Sequence, residues 1–175
     1  DYRKIIDEQM TRKLRDKQAW DSFFMYTMKK SANFSVPGSG KTSSVYGVFS
    51  FLSSQGLVDK IVMIGPKNSF ISWKDEFYNC FYDKRELKLF NIQDYPNTRT
   101  KKNALLYEAA HKKNLLLFNY ESLDSILEEV KNIIDEKTLL VFDEVHKIKN
   151  PNGKRAKNSL EISYKAKYTI ALTGT

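Results

Sequence analysis

The sequence predicts an α/β domain built on a mainly parallel, doubly wound sheet with helices on both faces. Two observations carry this expectation. Short apolar runs alternate with longer amphipathic ones along the chain, the order produced by strand–helix–strand units. Several of those runs, among them KIVMIG at 60–65, NLLLFNY at 114–120 and TLLVFDE at 138–144, are continuous rather than alternating. Strands covered on both faces have that pattern, because neither face needs polar side chains.

The elements follow in order. Residues 2–29 read as a charged helical segment packed outside the sheet. An apolar-leaning run at 32–35 precedes a glycine-rich turn and is the first strand, and the mixed run after the turn, 41–54, is a helix. KIVMIG at 60–65 is the second strand, followed by a helix over 69–81. LKLFN at 87–91 is a short third strand. YPNTRTKKN at 95–103 is the most loop-like and basic connection, running into a helix over 99–112. Further strands at 114–120, 138–144 and 168–174 are separated by helices over 122–134 and 154–162. The division expected is an N-terminal helical segment, 1–30, and a lobe comprising 31–175.

A chain of 175 residues with 41% hydrophobic and 29% charged residues fits one globular domain with a real core. No apolar run is long enough to span a bilayer, and the start, DYRKIIDEQM, has no signal-peptide core. The single cysteine, Cys80, excludes an internal disulfide and points to a reducing compartment, cytoplasmic in a microbe or virus and nuclear in a eukaryote. Cys80 reads as a small half-buried side chain. His111 and His146, with one cysteine, are too few for a zinc site unless carboxylates help. The net charge of +8 favours a polyanionic partner, most commonly nucleic acid. The first residue is not methionine and the last run is ALTGT, so the chain reads as a piece of a larger protein.

Chemistry concentrates at expected strand ends, where open parallel sheets bind ligands. In FSVPGSGKTSS, residues 34–44, Gly38 and Gly40 allow backbone amides to approach phosphate oxygens closely. Pro37 stiffens the approach, Ser39 sits between the glycines, and Ser43 follows the loop. Lys41 is placed to reach the terminal phosphates and Thr42 to hold Mg²⁺. The following helix presents its positive end to the anion. Ser35 stands where a first glycine is usual in such loops. The second piece is LLVFDEVHKIKN at 139–150. Asp143 would hold Mg²⁺ through water, and Glu144 would polarise the attacking water.

Together these segments resemble the superfamily 2 helicases and translocases, and in particular their Swi/Snf-like branch. SVPGSGKT is similar to the A-x-x-G-x-G-K-T loop of helicases, with Ser35 for alanine. Asp143-Glu144-Val145-His146 resembles the D-E-x-H box of the DEAD/DEAH group, and HKIKN resembles that branch's H-R-I-K-N, with Lys147 for arginine. GPKNSFISWKDEF at 65–77 is similar to motif Ia, NYESL at 119–123 to a T-Y-E segment, LTGT at 172–175 to motif III, and LRDKQ at 14–18 to a Q-motif-like region. These matches stand in the family's order and cover almost the whole chain.

The resemblance implies a RecA-like P-loop NTPase fold, specifically the first lobe of a two-lobe motor, with ATP and Mg²⁺ as cofactors. It implies a DNA-dependent ATPase in which Gln18 reads adenine, and His146, Thr173 and Thr175 couple the nucleotide to nucleic acid. Pro66, Lys67, Asn68 and Tyr120 would meet the backbone of DNA, duplex in the family's manner. A second lobe in the full-length chain would supply an arginine finger, leaving this lobe inactive or very weak alone. The loop departs from the D-E-M-G-L-G-K-T of Swi/Snf enzymes and is closer to phage and bacterial relatives. Three other readings stand beside this one: a true helicase, the motor subunit of a restriction or defence complex, and a nucleotide-gated binding module without useful turnover. Trp73 reads as a packing residue of its helix. His146 is either a satisfied core histidine or the coupling residue. The run 147–167, with seven basic residues and one acidic, is either a solvated face or the flank of a DNA track.

Overall fold

A computed structural model of the chain describes residues 1–28, 30–33, 40–107, 112–148 and 150–173, with the backbone alone at 28 and 30–33. Six strands, β1 (Lys30–Asn33), β2 (Lys60–Gly65), β3 (Leu89–Asn91), β4 (Leu115–Asn119), β5 (Thr138–Phe142) and β6 (Tyr168–Leu172), form one sheet in the order β1-β6-β5-β2-β4-β3. Every pairing is parallel, as the continuous apolar runs predict. Parallel neighbours cannot be joined by a hairpin, so helices return the chain. These are α3 (Lys41–Ser54), α4 (Phe70–Phe81), α5 (Thr98–Tyr107), α6 (Leu123–Ile133) and α7 (Lys154–Ser163).

Burial explains the absence of alternation. All five residues of β4 and of β5 are buried, and in β2 only Lys60 is not. The expected third strand, 87–91, is shorter in the structure. Asn114 captures Lys88, its side chain accepting from Lys88 N at 2.8 Å and its backbone N–H donating to Lys88 O at 2.9 Å. That loop closure holds Lys88 outside the sheet pairing. The strand expected over 138–144 likewise ends at Phe142, because Glu144 takes a left-handed backbone with φ 50° and ψ 50°.

The helical segment expected over 2–29 is broken into α1 (Tyr2–Gln9) and α2 (Asp16–Met28). The break has a tertiary cause. The backbone N–H groups of Thr11 and Arg12 both donate to Cys80 O, at 2.7 and 3.2 Å, satisfying a carbonyl in the last turn of α4. Both N-terminal helices pack on α3. A Cβ at Gly47 of α3 would lie 2.6 Å from Ser22 Oγ and 2.8 Å from Leu14 Cδ1, so the close approach requires glycine. Ile6, Met10, Leu14, Ala19 and Met25 thereby join the same hydrophobic cluster as the sheet. Cys80 is fully buried, not half-buried as expected, with its Sγ 3.7 Å from Ser43 Oγ.

Among the described residues no helix is long and apolar enough to cross a membrane.

Candidate active site

In this sheet the carboxyl ends of β6, β5 and β2 lie side by side, and Lys41, Asp143, Glu144 and Thr173 gather there. Helix α3 starts at Lys41 behind Gly40, whose left-handed backbone (φ 76°) places no side chain over the first turn. The helix therefore offers first-turn amides without a side-chain cap and the positive end of its dipole. Gln18 closes on this turn from α2. Its side-chain oxygen accepts from Arg15 N at 3.0 Å and its Nε2 donates to Gly40 O at 3.4 Å. A Cβ at position 40 would sit 2.0 Å from that Nε2 and push the Gln18 side chain aside, while the left-handed φ itself favours glycine.

Lys41 is half-buried, and its ammonium donates to Thr173 O at 2.7 Å, just past the end of β6. Thr42 stands beside it, also half-buried. Ser43 was expected to touch the cofactor, but its hydroxyl is buried and donates to Glu76 Oε2 of α4 at 2.7 Å. Any contact of Ser43 with a phosphate would therefore run through its backbone N–H. The expected positions Pro37, Gly38, Ser39 and Thr175 lie outside the described residues, as does His111.

Asp143 is anchored from three sides. Its N–H donates to Ile64 O of β2 at 2.8 Å, its carbonyl accepts from Tyr120 Oη at 2.7 Å, and its Oδ2 accepts from the Trp73 indole N–H at 2.9 Å. Gly65 makes room for it, since a Cβ there would stand 3.0 Å from Asp143 Cβ. Burial pushes the Asp143 carboxyl above the usual carboxylate range. The Trp73 bond pulls it back, Glu144 adds repulsion, and the Lys41 charge and a backbone bond from Glu144 lower it again. Such a carboxylate gains by meeting a cation.

Glu144 follows in the left-handed conformation, which a non-glycine residue adopts at a cost of about 1–3 kcal/mol when the surroundings impose it. Its carboxylate lies 3.9 Å from His146 Nε2 and 3.7 Å from Lys147 Nζ. His146 is exposed, which removes the reading as a core histidine.

Two residues here exceed what the sequence revealed. Trp73 was legible as a packing residue, and it is one, but its N–H also holds the acidic side chain. Tyr120 was expected on a nucleic-acid face. It is instead 2% exposed, because its hydroxyl turns inward to the Asp143 carbonyl. No signal in NYESL separates the two orientations.

Pro66, Lys67 and Asn68 do form an outer loop after β2. Lys67 and Asn68 are exposed, and Pro66 O accepts from both Ser69 N and Ser69 Oγ, at 3.0 and 2.7 Å. Lys67 and Arg155 both bear on Glu121. Arg155 pairs with it at 3.0 Å, and burial, which opposes ionisation, is outweighed by the Asn119 hydrogen bond, a backbone bond and those two cations, so its carboxyl is held below the usual range. A cleft of about 500 Å³ beside this pair is lined by Lys147, Lys154 and Arg155 with Asp124 as its carboxylate. The basic run of the sequence is thus brought beside the loops after β2 and β4.

A sequence profile for the family described as "Type III restriction enzyme, res subunit" matches residues 4–175. The chain belongs to this family. Its relatives among curated proteins include DNA excision repair protein ERCC-6-like 2 of Mus musculus, 31% identical over 114 residues, 65% of this chain and 7% of that protein. SNF2 domain-containing protein ENL1 of Oryza sativa subsp. japonica is 27% identical over 149 residues, 79% of this chain and 14% of that one. Among solved structures, the Sulfolobus solfataricus SWI2/SNF2 ATPase core in complex with dsDNA superposes with a TM-score of 0.71 at 23% identity, covering 95% of this chain and 33% of that chain. The Pyrococcus furiosus Hef helicase domain gives 0.69 at 17% identity, covering 93% and 33%. The res-subunit match and these likenesses bear out the expected first RecA-like lobe of a Swi/Snf-like superfamily 2 protein. The chain spans about a third of the solved chains and a seventh or less of the curated relatives.

Proposed function

We propose that this lobe binds Mg-ATP at the start of α3 and hydrolyses it, in concert with a second RecA-like lobe, to drive movement on DNA. One observation carries the reading: the Lys41 ammonium, Thr173, Asp143 and Glu144 come together at the ends of two adjacent strands, β6 and β5. Their donor chemistry fits a magnesium nucleotide. A cation and uncapped amides suit the phosphates, a buried carboxylate suits the metal, and the left-handed turn at Gly40 suits glycine. Among the described residues no three His, Cys, Asp or Glu side chains converge as a metal cage. That agrees with Mg²⁺ held by one or two protein oxygens plus substrate phosphates.

In this reading Gly38, Ser39, Gly40 and Ser43 give backbone amides to phosphate oxygens, and Pro37 shapes the loop. Lys41 exchanges the Thr173 carbonyl for the terminal phosphates, which links nucleotide binding to the residue after β6. Thr42, and Asp143 through water, would hold Mg²⁺, which would supply positive charge against the transferred phosphoryl group. Glu144 orients water and accepts its proton. Gln18, with one amide N–H on Gly40 O and its oxygen accepting from Arg15 N, keeps a second N–H with which to read adenine. His146, exposed and next to Glu144, and Thr173 with Thr175 would carry the state of the site to bound DNA.

DNA would cross Pro66, Lys67 and Asn68 and the cleft lined by Lys147, Lys154 and Arg155, meeting phosphates rather than base edges. The structure of the Sulfolobus protein named above contains dsDNA, which favours duplex as the track. The family's description favours a restriction or defence motor as the setting. Calorimetry tests the core of the proposal. Lys41→Ala should abolish Mg-ATP and Mg-ADP binding, because the charge on the terminal phosphates is lost. Equal affinities for the variant and the parent chain would overturn it.

A further inference from the structure

Trp73 makes a contact that packing alone does not require. It is fully buried in α4, with the Tyr46 ring edge-on at 5.5 Å. Tyr46 stands on α3 and donates its hydroxyl to Trp73 O at 2.6 Å. A buried indole N–H needs an acceptor, and a backbone carbonyl would satisfy it. Here it takes Asp143 Oδ2 at 2.9 Å instead, across 70 residues of sequence.

A carboxylate on a strand end can rotate about two bonds, so its orientation has to be set by a partner. The helix carrying that partner is held at both ends. It begins directly after the Lys67–Ser69 turn, whose Ser69 bonds to Pro66 O, and it ends on Cys80 O, bonded by Thr11 and Arg12. In between, Glu76 accepts from Ser43 in the first turn of α3. Helix α4 thus touches both halves of the candidate site, and Trp73 is its contact with the metal-ligand half.

We propose that Trp73 is a positioning residue that sets the orientation of the Asp143 carboxylate, and through it the affinity of the site for Mg²⁺. The inference rests on the reading of Asp143 as a metal ligand. Outer-shell donors to metal ligands typically change metal affinity about 10- to 100-fold when removed. Trp73 touches neither the nucleotide nor the metal in this scheme. It acts only through Asp143, whose other anchors, Ile64 O and Tyr120 Oη, are on the backbone and leave the side chain free to turn.

The test uses a fluorescent ADP titrated with the chain at increasing Mg²⁺, and again in EDTA. Trp73→Phe keeps an aromatic ring and removes the N–H. Its Mg²⁺ midpoint should rise about 10- to 100-fold while binding in EDTA is unchanged. Phe77→Leu, a buried position facing the same Tyr46 ring at 5.5 Å, is the packing control and should lower stability without moving the midpoint. An unchanged midpoint in Trp73→Phe overturns the proposal, as does an equal shift in Phe77→Leu. Should Trp73→Phe fail to fold, Trp20→Phe supplies the second route. It removes the other tryptophan, which is 64% exposed, and leaves Trp73 as the sole reporter. Its emission should then change with the same Mg²⁺ midpoint as ADP binding, and a flat response overturns the proposal. If the unmodified chain binds ADP equally with and without Mg²⁺, the assignment of Asp143 as a ligand falls, which is a distinct result.

Discussion

Individual side chains at this site owe their chemistry to where the strands end. Glu144 is in the left-handed region two residues after the end of β5, so its carboxylate leaves the sheet at an angle that an extended residue would not give. In the full-length protein Glu144→Gln should keep nucleotide affinity and lose hydrolysis, because an amide orients water but cannot take its proton. Retained turnover in a phosphate-release assay would place the base elsewhere. Cys80 supplies a pH prediction away from the site. Burial pushes its thiol up to about 11, with the Ser43 bond and Arg12 opposing and Glu76 adding to the rise. The folded state holds the proton more tightly than the unfolded chain does. The contribution to stability is therefore complete below about pH 9 and declines as pH climbs toward 11. Iodoacetamide at pH 8 should label the native chain far more slowly than the chain in urea, since both thiolate fraction and access are small. Equal labelling rates would contradict the burial.

At the scale of elements, α4 ties the N-terminal segment to the start of α3. Glu76 Oε2 receives both Arg12 Nη1 and Ser43 Oγ at 2.7 Å. Glu76→Ala would leave a buried hydroxyl and a half-buried guanidinium without that acceptor, a loss of about 1–3 kcal/mol. The i,i+4 pair of Lys17 and Asp21 on α2 is 3.3 Å apart with Lys17 62% exposed. Such a pair is worth about 0.3–0.5 kcal/mol, so Lys17→Ala should scarcely move a urea midpoint. Similar midpoint shifts for the two variants would show that the three-way junction is not a stabilising contact. The break between α1 and α2 belongs to this same junction, because the amides freed there are the ones that bind Cys80 O.

For the whole molecule, the charge of +8 gains meaning from its placement. Lys67 and Arg155 come from segments far apart in sequence, yet both bear on Glu121. Duplex binding by residues 1–175 should fall steeply with salt, because each neutralised phosphate releases a counterion. Preference among sequences should be small. Reversing Lys154 and Arg155 together to Glu should weaken binding at low salt and flatten the salt dependence. Without a partner lobe, ATP turnover should stay near background with or without DNA, since a transition-state arginine is worth about 10³–10⁵ in rate. Strong DNA-stimulated hydrolysis by these residues alone would require a complete site within them.

The local code of the chain determined the α/β class, the parallel sheet and most element positions, because strands buried on both faces announce themselves as unbroken apolar runs. It also determined which residues are candidates for phosphate and metal, since Gly40, Lys41, Asp143 and Glu144 stand at strand–helix junctions where only a few residue types serve. Orientation was beyond it. Whether Tyr120 faces solvent or Asp143, whether Ser43 faces a ligand or Glu76, and whether Trp73 only packs or also donates are settled by partners between 23 and 70 residues away. The interruption at residues 10–15 was equally hidden, because the helix yields there to a carbonyl on α4. Each of these outcomes is set by a buried polar group meeting a partner that adjacent residues do not encode, and only the folded sheet brings the two together.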